Sequence, residues 1–342
     1  MNLKIVFLLL CIEMNSKLEK TLRKERQLKD VTVASYKSTF NTMARRYGVN
    51  YLSATWAKKN LDQIIEDLSG SSHSHKVSRC SAILLLFSPK QRRAPSSKFR
   101  TAYHRVNELL LKTNAVYVTQ KQKQQKTAKE TENWLAWTDI QKYLGKWQKV
   151  VLSDLKLKDG PQSTADFAEL QRLLVLALYV HLPPRRLDYA GMKVIDDQLY
   201  KKVKVLQQER KANYLVVKNR TSKFFSFGSD CNKSRLKHAE TCLTVKVPSA
   251  LNRIINVWLD YNQTGVFLLN AKDEPLSKNG LGKIIRTIFV NRFNKRIGAS
   301  LLRKIFLSFT FSGDTTYKLK MDIAKLMNHS PSTATIHYVK KG

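Results

Sequence analysis

The chain has 342 residues, with 61 Lys plus Arg against 26 Asp plus Glu, and a formal net charge of +35. Hydrophobic residues make up 43% of it and only 12 Gly and 8 Pro interrupt it, which excludes a disordered basic tail or a low-complexity chain and leaves enough length for two domains, each with its own core. A small acidic substrate needs only a few cations, whereas a DNA duplex, with one charge per about 1.7 Å, rewards a long basic footprint by counterion release; nucleic acid is the partner indicated, ahead of a membrane surface.

In chain order, Ile5 to Ile12 is an apolar run of eight residues, too short to span a bilayer. It looks like a small secretory segment, but Glu13 to Lys17 follows without a small-x-small cleavage signal, so the protein is expected not to be secreted. Residues 1–13 are read as an upstream extension or weak signal-like segment, with Met14 as the working start. Residues 14–112 form the first domain, helical throughout. Tyr36, Phe40 and Met43 share one face at i, i+4, i+7, and further helices are expected near Ala54 to Leu68, Ser78 to Phe87 and Ser97 to Leu111. Breaks fall at Gly70 to His75 and at Ser88 to Lys90, and the pair His73 and His75 reads as part of a solvated loop, since no other ligand residue clusters with it. Residues 1–112 carry 21 basic and 8 acidic side chains, so the positive excess is shared by both halves of the chain. Cys11, Cys80, Cys231 and Cys242 lie far apart with no CxxC pair, which argues against a disulfide scaffold and against structural zinc.

Residues 113–133, with the polar, cationic and aperiodic run Thr119 to Thr127, read as a linker. Residues 134–342 form the second domain. Trp134-Leu135-Ala136-Trp137 opens its first helix, and Phe167 to Tyr179 is a long apolar helix ending at Pro183-Pro184. The period then changes: Tyr214 to Val217, Phe224 to Phe227 and Leu243 to Val247 read as short strands of an antiparallel sheet, and helices resume at Ala250 to Tyr261. The fold class expected is mainly α with a small antiparallel β-sheet.

The segment Leu326-Met327-Asn328-His329-Ser330, with Ser332, Thr333 and Thr335 after it and Tyr338 nine positions beyond His329, resembles the C-terminal box of tyrosine recombinases. Asn328 stands where that family usually has Gly, and Asn tolerates the left-handed conformation of a helix C-cap. Leu182-Pro183-Pro184-Arg185-Arg186-Leu187-Asp188 is similar to the family's first arginine box, whose acidic residue three positions on selects Arg185 with Asp188 and leaves Arg186 as the fallback. The Pro-Pro-Arg-Arg form looks especially like recombinases of large DNA viruses and Polinton-type elements. Ser300-Leu301-Leu302-Arg303-Lys304 is similar to the second box, His-x-x-Arg-His, with Arg303 in register and Ser300 and Lys304 in place of the histidines. The family also places a lysine on a β-hairpin ahead of a strand ending in Pro, here Pro248; Lys233 is selected, with Lys223 and Lys237 as competitors.

The resemblance implies a helical DNA-clamp domain followed by a mixed α+β tyrosine recombinase catalytic domain. Its site residues would be Arg185, Lys233, Arg303, His329 and Tyr338, with no metal and no cofactor. It implies cleavage and rejoining of double-stranded DNA through a 3′-phosphotyrosine, by a homotetramer holding two duplexes, with no membrane partner. Use in integrating a viral or mobile-element genome follows, in the nucleus or cytoplasm of a host cell or in a virion. A type IB DNA topoisomerase shares the chemistry but usually has Ser-Lys ahead of its tyrosine. A catalytically degenerate DNA-binding relative is the non-enzymatic alternative, suggested by Ser300.

Overall fold

The structure is a computed structural model and describes residues 22–23, 28, 30–88, 91, 93–94, 97–206, 210–229, 242–313 and 315–340. It divides into two compact units, Met1–Lys121 and Gln122–Gly342. Among the described residues the fold is mainly helical, with a small mixed sheet of four strands in the second unit.

The helices of the first unit are α1 (Asp30–Arg46), α2 (Ala54–Lys59), α3 (Leu61–Ser69), α4 (His73–Leu86) and α5 (Arg100–Gln122). Their apolar faces meet in a core containing Phe40, Met43, Ile64, Leu68, Ile83, Phe87 and Val106. The expected helix over 54–68 is split at Asn60, which ends α2 by donating its backbone N–H to Trp56 O at 3.0 Å. Ser53 caps the start of α2, its Oγ accepting from Trp56 N at 3.1 Å. His73 departs from the expected solvated loop: it opens α4 and stacks on Tyr117 at 4.1 Å between ring centroids. The polar run assigned to a linker is helical as far as Gln122, because Lys and Gln are good helix formers whether or not a face is buried. Aperiodicity there reports exposure rather than coil.

In the second unit α6 (Ala128–Glu132) starts with a capping box, Thr127 Oγ1 accepting from Glu130 N at 3.2 Å and Glu130 Oε2 from Thr127 N at 2.9 Å. α7 (Trp137–Leu157) buries Trp137, Ile140, Leu144, Trp147, Val151 and Leu155, a stripe at helical spacing. α8 (Thr164–His181) is buried over an unbroken run from Leu173 to Tyr179, as befits a helix surrounded by others, and Leu182 leaves it in extended conformation ahead of Pro183.

The strands β1 (Lys193–Asp196), β2 (Asn213–Val217), β3 (Lys223–Phe227) and β4 (Leu243–Lys246) lie in that order across the sheet. The pairs β2–β3 and β3–β4 are antiparallel, with Leu215 opposite Phe225 and Phe225 opposite Val245. The edge strand β1 is parallel to β2, so the sheet is mixed rather than purely antiparallel. A parallel pair needs a crossover, and α9 (Asp197–Val205) supplies it, capped by Asp196 Oδ1 accepting from Leu199 N at 2.7 Å. Strand β1 is four half-buried or exposed residues long, too short to leave a period in the sequence.

The remaining helices are α10 (Ser249–Tyr261), α11 (Lys278–Phe293), α12 (Ala299–Thr310), α13 (Tyr317–Leu326) and α14 (Pro331–Thr333), the last continued by a wide turn over Ala334–Tyr338. The main core of this unit joins α8 to Phe225, Trp258, Phe267, Phe289 and Leu302. A smaller cluster of Leu307, Phe311, Ile323, Ala324, Met327 and Ala334 seats the chain's last segment, with Tyr338 and Val339 packed against it. Among the described residues no helix is long and apolar enough to cross a membrane.

Candidate active site

The end of α8 sets the first pair of cations. Once Pro183 and Pro184 end the helix, Arg185 and Arg186 follow in a turn whose backbone is pinned by Tyr179 Oη donating to Arg186 O. Arg185 is 2% exposed, and its guanidinium is compensated on three sides. Nε donates to Asp188 Oδ2 at 2.9 Å, Nη1 donates to Leu326 O, and the plane lies over the Phe227 ring at 3.8 Å. The acidic residue three positions on is therefore its salt-bridge partner.

Arg303, one turn into α12, is fully buried. Its Nη1 donates to Pro184 O at 3.0 Å and to Met327 O at 3.3 Å, Nη2 shares Met327 O at 3.3 Å, and Nε makes no hydrogen bond. The acceptors at Leu326 and Met327 are carbonyls at the C-terminal end of α13. A helix C-terminus carries unsatisfied carbonyls and partial negative charge, so this one end draws both guanidiniums together.

The turn that ends α13 depends on Asn328, whose φ is 56°. In that left-handed conformation the chain folds back so that Asn328 N donates to Lys325 O at 3.0 Å and His329 N to Ala324 O at 3.1 Å. Ser330 then caps α14, its Oγ accepting from Thr333 N at 3.2 Å and lying 2.8 Å from Thr333 Oγ1. That is the local use of the Ser/Thr-rich stretch. Beyond it the backbone widens, Val339 N donating to Ala334 O at 3.3 Å, and Tyr338 is turned inward.

Tyr338 stacks on His329 with ring centroids 5.3 Å apart and an interplanar angle of 12°, while Arg303 lies over its ring at 4.9 Å. Burial opposes ionisation of the phenol, but the charge of Arg303, hydrogen bonding from Arg186, and Arg186's own charge outweigh it and hold the pKa below the ordinary tyrosine value. His329 is 4% exposed, and burial, followed by the charges of Arg303, Arg186 and Arg185, pulls its pKa down to about 4. The imidazole is therefore neutral near pH 7. Nδ1 lies 3.3 Å from Ser330 O, a contact that places the ring proton on Nδ1, and Nε2 is buried without a hydrogen-bond partner.

Arg185, Arg303, His329 and Tyr338, separated by up to 153 positions in sequence, thus gather at one place in the second unit. Arg186, the fallback at the first box, faces the phenol, while Arg185 packs beneath with Asp188. The spacing that selects Arg185 does identify the partner of Asp188, but it does not tell which of the adjacent arginines faces the phenol. Asp188 forms its salt bridge with Arg185. Three guanidiniums gathered beside a phenol and an imidazole make a cluster whose charge suits an anion.

Lys233 and its competitor Lys237 lie outside the described residues. Lys223, the other competitor, is 3% exposed at the start of β3, its Nζ donating to Arg220 O at 2.8 Å, Asn252 Oδ1 at 2.9 Å, Asn256 Oδ1 at 2.5 Å and Asn219 O at 3.3 Å. Four oxygen acceptors around one ammonium make it a tie between the β2–β3 turn and α10. Ser300 sits in the first turn of α12 and is exposed, and Lys304 pairs with Glu130. No group of three or more His, Cys, Asp or Glu residues with metal-binding geometry occurs among the described residues.

No protein-family model matches this chain, and no curated protein matches it. Among solved structures it is similar to one described as the crystal structure of XerA recombinase, at 11% identity, covering 96% of this chain and 94% of that one with a TM-score of 0.32. The weight of any functional reading falls on the side chains themselves.

Proposed function

We propose that this protein is a tyrosine recombinase, a DNA strand transferase that breaks and rejoins a phosphodiester through Tyr338. The observation that carries the reading is the phenol held against Arg303 and His329, with Arg186 hydrogen-bonded to it and Arg185 beneath. Tyr338 Oη gives its proton to water as it attacks phosphorus, the P–O5′ bond breaks, and the 5′-oxygen leaves as a hydroxyl after taking a proton from a lysine, for which Lys233 is the choice. The products are a 3′-phosphotyrosine and a free 5′-hydroxyl. A phosphodiester is exchanged for a phosphotyrosyl ester, so rejoining needs no nucleotide cofactor.

Arg303 and Arg186 serve first to favour the phenolate and then to neutralise the non-bridging oxygens, whose spacing a guanidinium fork matches. His329, kept neutral in the free protein by burial and by the three cations around it, gains basicity once a phosphate offsets those charges, and its Nε2 is then able to hold a proton in a hydrogen bond to a non-bridging oxygen of the pentacoordinate phosphate. The basic excess of both halves supports a duplex as substrate. The working assembly is a homotetramer on two duplexes, and the biological use is integration of a viral or mobile-element genome in the nucleus or cytoplasm of a host cell.

A duplex nicked just beyond the cleavage site tests the chemistry, because the short 5′-hydroxyl strand diffuses away and traps the covalent product. Wild-type protein is expected to give that product and Tyr338→Phe none; absence of product with wild type on any duplex leaves a DNA-binding relative instead. Exchange between two labelled duplexes separates a recombinase from a topoisomerase, which relaxes one duplex and exchanges nothing.

A further inference from the structure

We infer that residues 124–130 form a clasp that delivers Tyr338 to the site of its own protomer, with Glu130 as the positioning residue. The inference rests on the reading of Tyr338 as nucleophile and adds to it the device that places it. Contacts from this short segment reach the chain on both sides of the phenol. Gln124 Nε2 donates to Thr335 O at 2.8 Å, and Lys340 Nζ donates to Gln125 O at 3.0 Å. Glu130 Oε2 lies 3.8 Å from Lys340 Nζ, and Glu130 Oε1 is bonded to Lys304 Nζ. On the far side Lys340 N donates to Ser308 Oγ on α12 at 2.8 Å.

One carboxylate therefore ties two elements at neighbouring points of the site, Lys304 being next to Arg303 and Lys340 two residues after Tyr338. Glu130 is itself fixed by the capping box with Thr127, so its side chain has no freedom to follow a drifting partner. The side chain of Lys340 is only 2% exposed. Burying an ammonium is unfavourable without full compensation, and an apolar residue would fill the same space at lower cost. A buried lysine at this position specifies where the segment lies, which packing of Val339 and Ala334 against α12 and α13 alone does not.

The test uses the full-length chain and the nicked duplex. Glu130→Gln and Lys340→Met are each expected to slow single-turnover cleavage by about tenfold to a hundredfold, since a misplacement near 1 Å has an effect of that order. The double variant should be no slower than the worse single one, because both remove one interaction, and DNA affinity should stay at the wild-type value. The pH at which cleavage reaches half its alkaline plateau should rise in both variants, as the phenol moves out of the field of Arg303 and Arg186.

Mixing a Tyr338→Phe protomer with an Arg303→Ala protomer should give no covalent product while the clasp is intact, and product should appear when both protomers also carry Lys340→Met. Wild-type rates in both single variants, or product from the intact mixture, would overturn the clasp. If wild-type protein makes no covalent product, the functional reading fails separately, and hydrogen exchange still reads the clasp. Amides 334–340 should lose protection in Glu130→Gln and in Lys340→Met, and unchanged protection in both would overturn it.

Discussion

Tyr338, His329 and the arginines form a coupled set, because each cation that lowers the phenol's pKa also lowers that of the imidazole. For Tyr338 the sign is that of an acid stabilised in its charged form, so cleavage should rise with pH through a midpoint below 10. Arg186→Ala should move that midpoint up, which a pH series of single-turnover rates measures. An unmoved midpoint would mean that Arg186 does not act on the phenol. For His329 the folded pKa lies near 4 against an ordinary 6.5. Above 6.5 both states are neutral, whereas between 6.5 and about 4 the unfolded chain binds a proton that the native state resists. Stability should therefore fall as pH drops through that window, and His329→Gln should flatten the fall in melting temperature. Glu130 has the ordinary acidic sign: burial opposes its charge, Lys304 and the Thr127 N–H outweigh burial, and the carboxyl falls to about 2. The Glu130 carboxylate consequently stays charged until the pH falls to about 2.

At the level of elements, the end of α13 is where local sequence and site geometry meet. Asn328 holds a left-handed φ of 56°, so Asn328→Gly should be tolerated. Asn328→Val should lose about 1–2 kcal/mol by denaturant titration and slow cleavage as well, because the same turn presents Leu326 O and Met327 O to the two arginines. Lys223→Met tests a different element. Removing the ammonium strands the Oδ1 atoms of Asn252 and Asn256, a loss of about 1–3 kcal/mol for each group left unsatisfied, while the Arg220 carbonyl keeps the two amide donors of those residues. If Lys223 is only the tie between the β2–β3 turn and α10, the variant should melt earlier while its folded fraction cleaves at the wild-type rate. Loss of cleavage without loss of stability would return Lys223 to the chemistry.

Over the whole molecule, the proposed function divides the work, with charge setting affinity for a duplex and the buried cluster setting the chemistry. With a net +35 distributed along both halves, duplex binding should weaken linearly in log affinity against log salt, with a steep slope. Arg303→Ala removes one buried cation among 61 basic residues, so it should abolish covalent product while shifting affinity only slightly; a filter-binding series beside the cleavage assay separates the two. Normal cleavage by that variant would mean that the second arginine box has been misplaced.

Most of the longer helices, three of the four described strands and the gathering of Arg185, Arg303, His329 and Tyr338 were legible in the sequence, because apolar periodicity and motif spacing are local properties of the chain, whereas the short helices at 128–132 and 197–205 and the helical course of 113–122 were not. The fold-back at Asn328 was legible for the same reason, since it depends on what one residue's backbone tolerates. The parallel edge strand β1, the stacking of His73 on Tyr117 and the full burial of Lys223 were not, because each depends on a partner tens of residues away. Which of two adjacent arginines faces the phenol, and that Glu130 joins Lys304 to Lys340, were settled only when distant helix ends and carbonyls came together. Burial and charge compensation are properties of the packed interior, and no stretch of sequence carries them by itself.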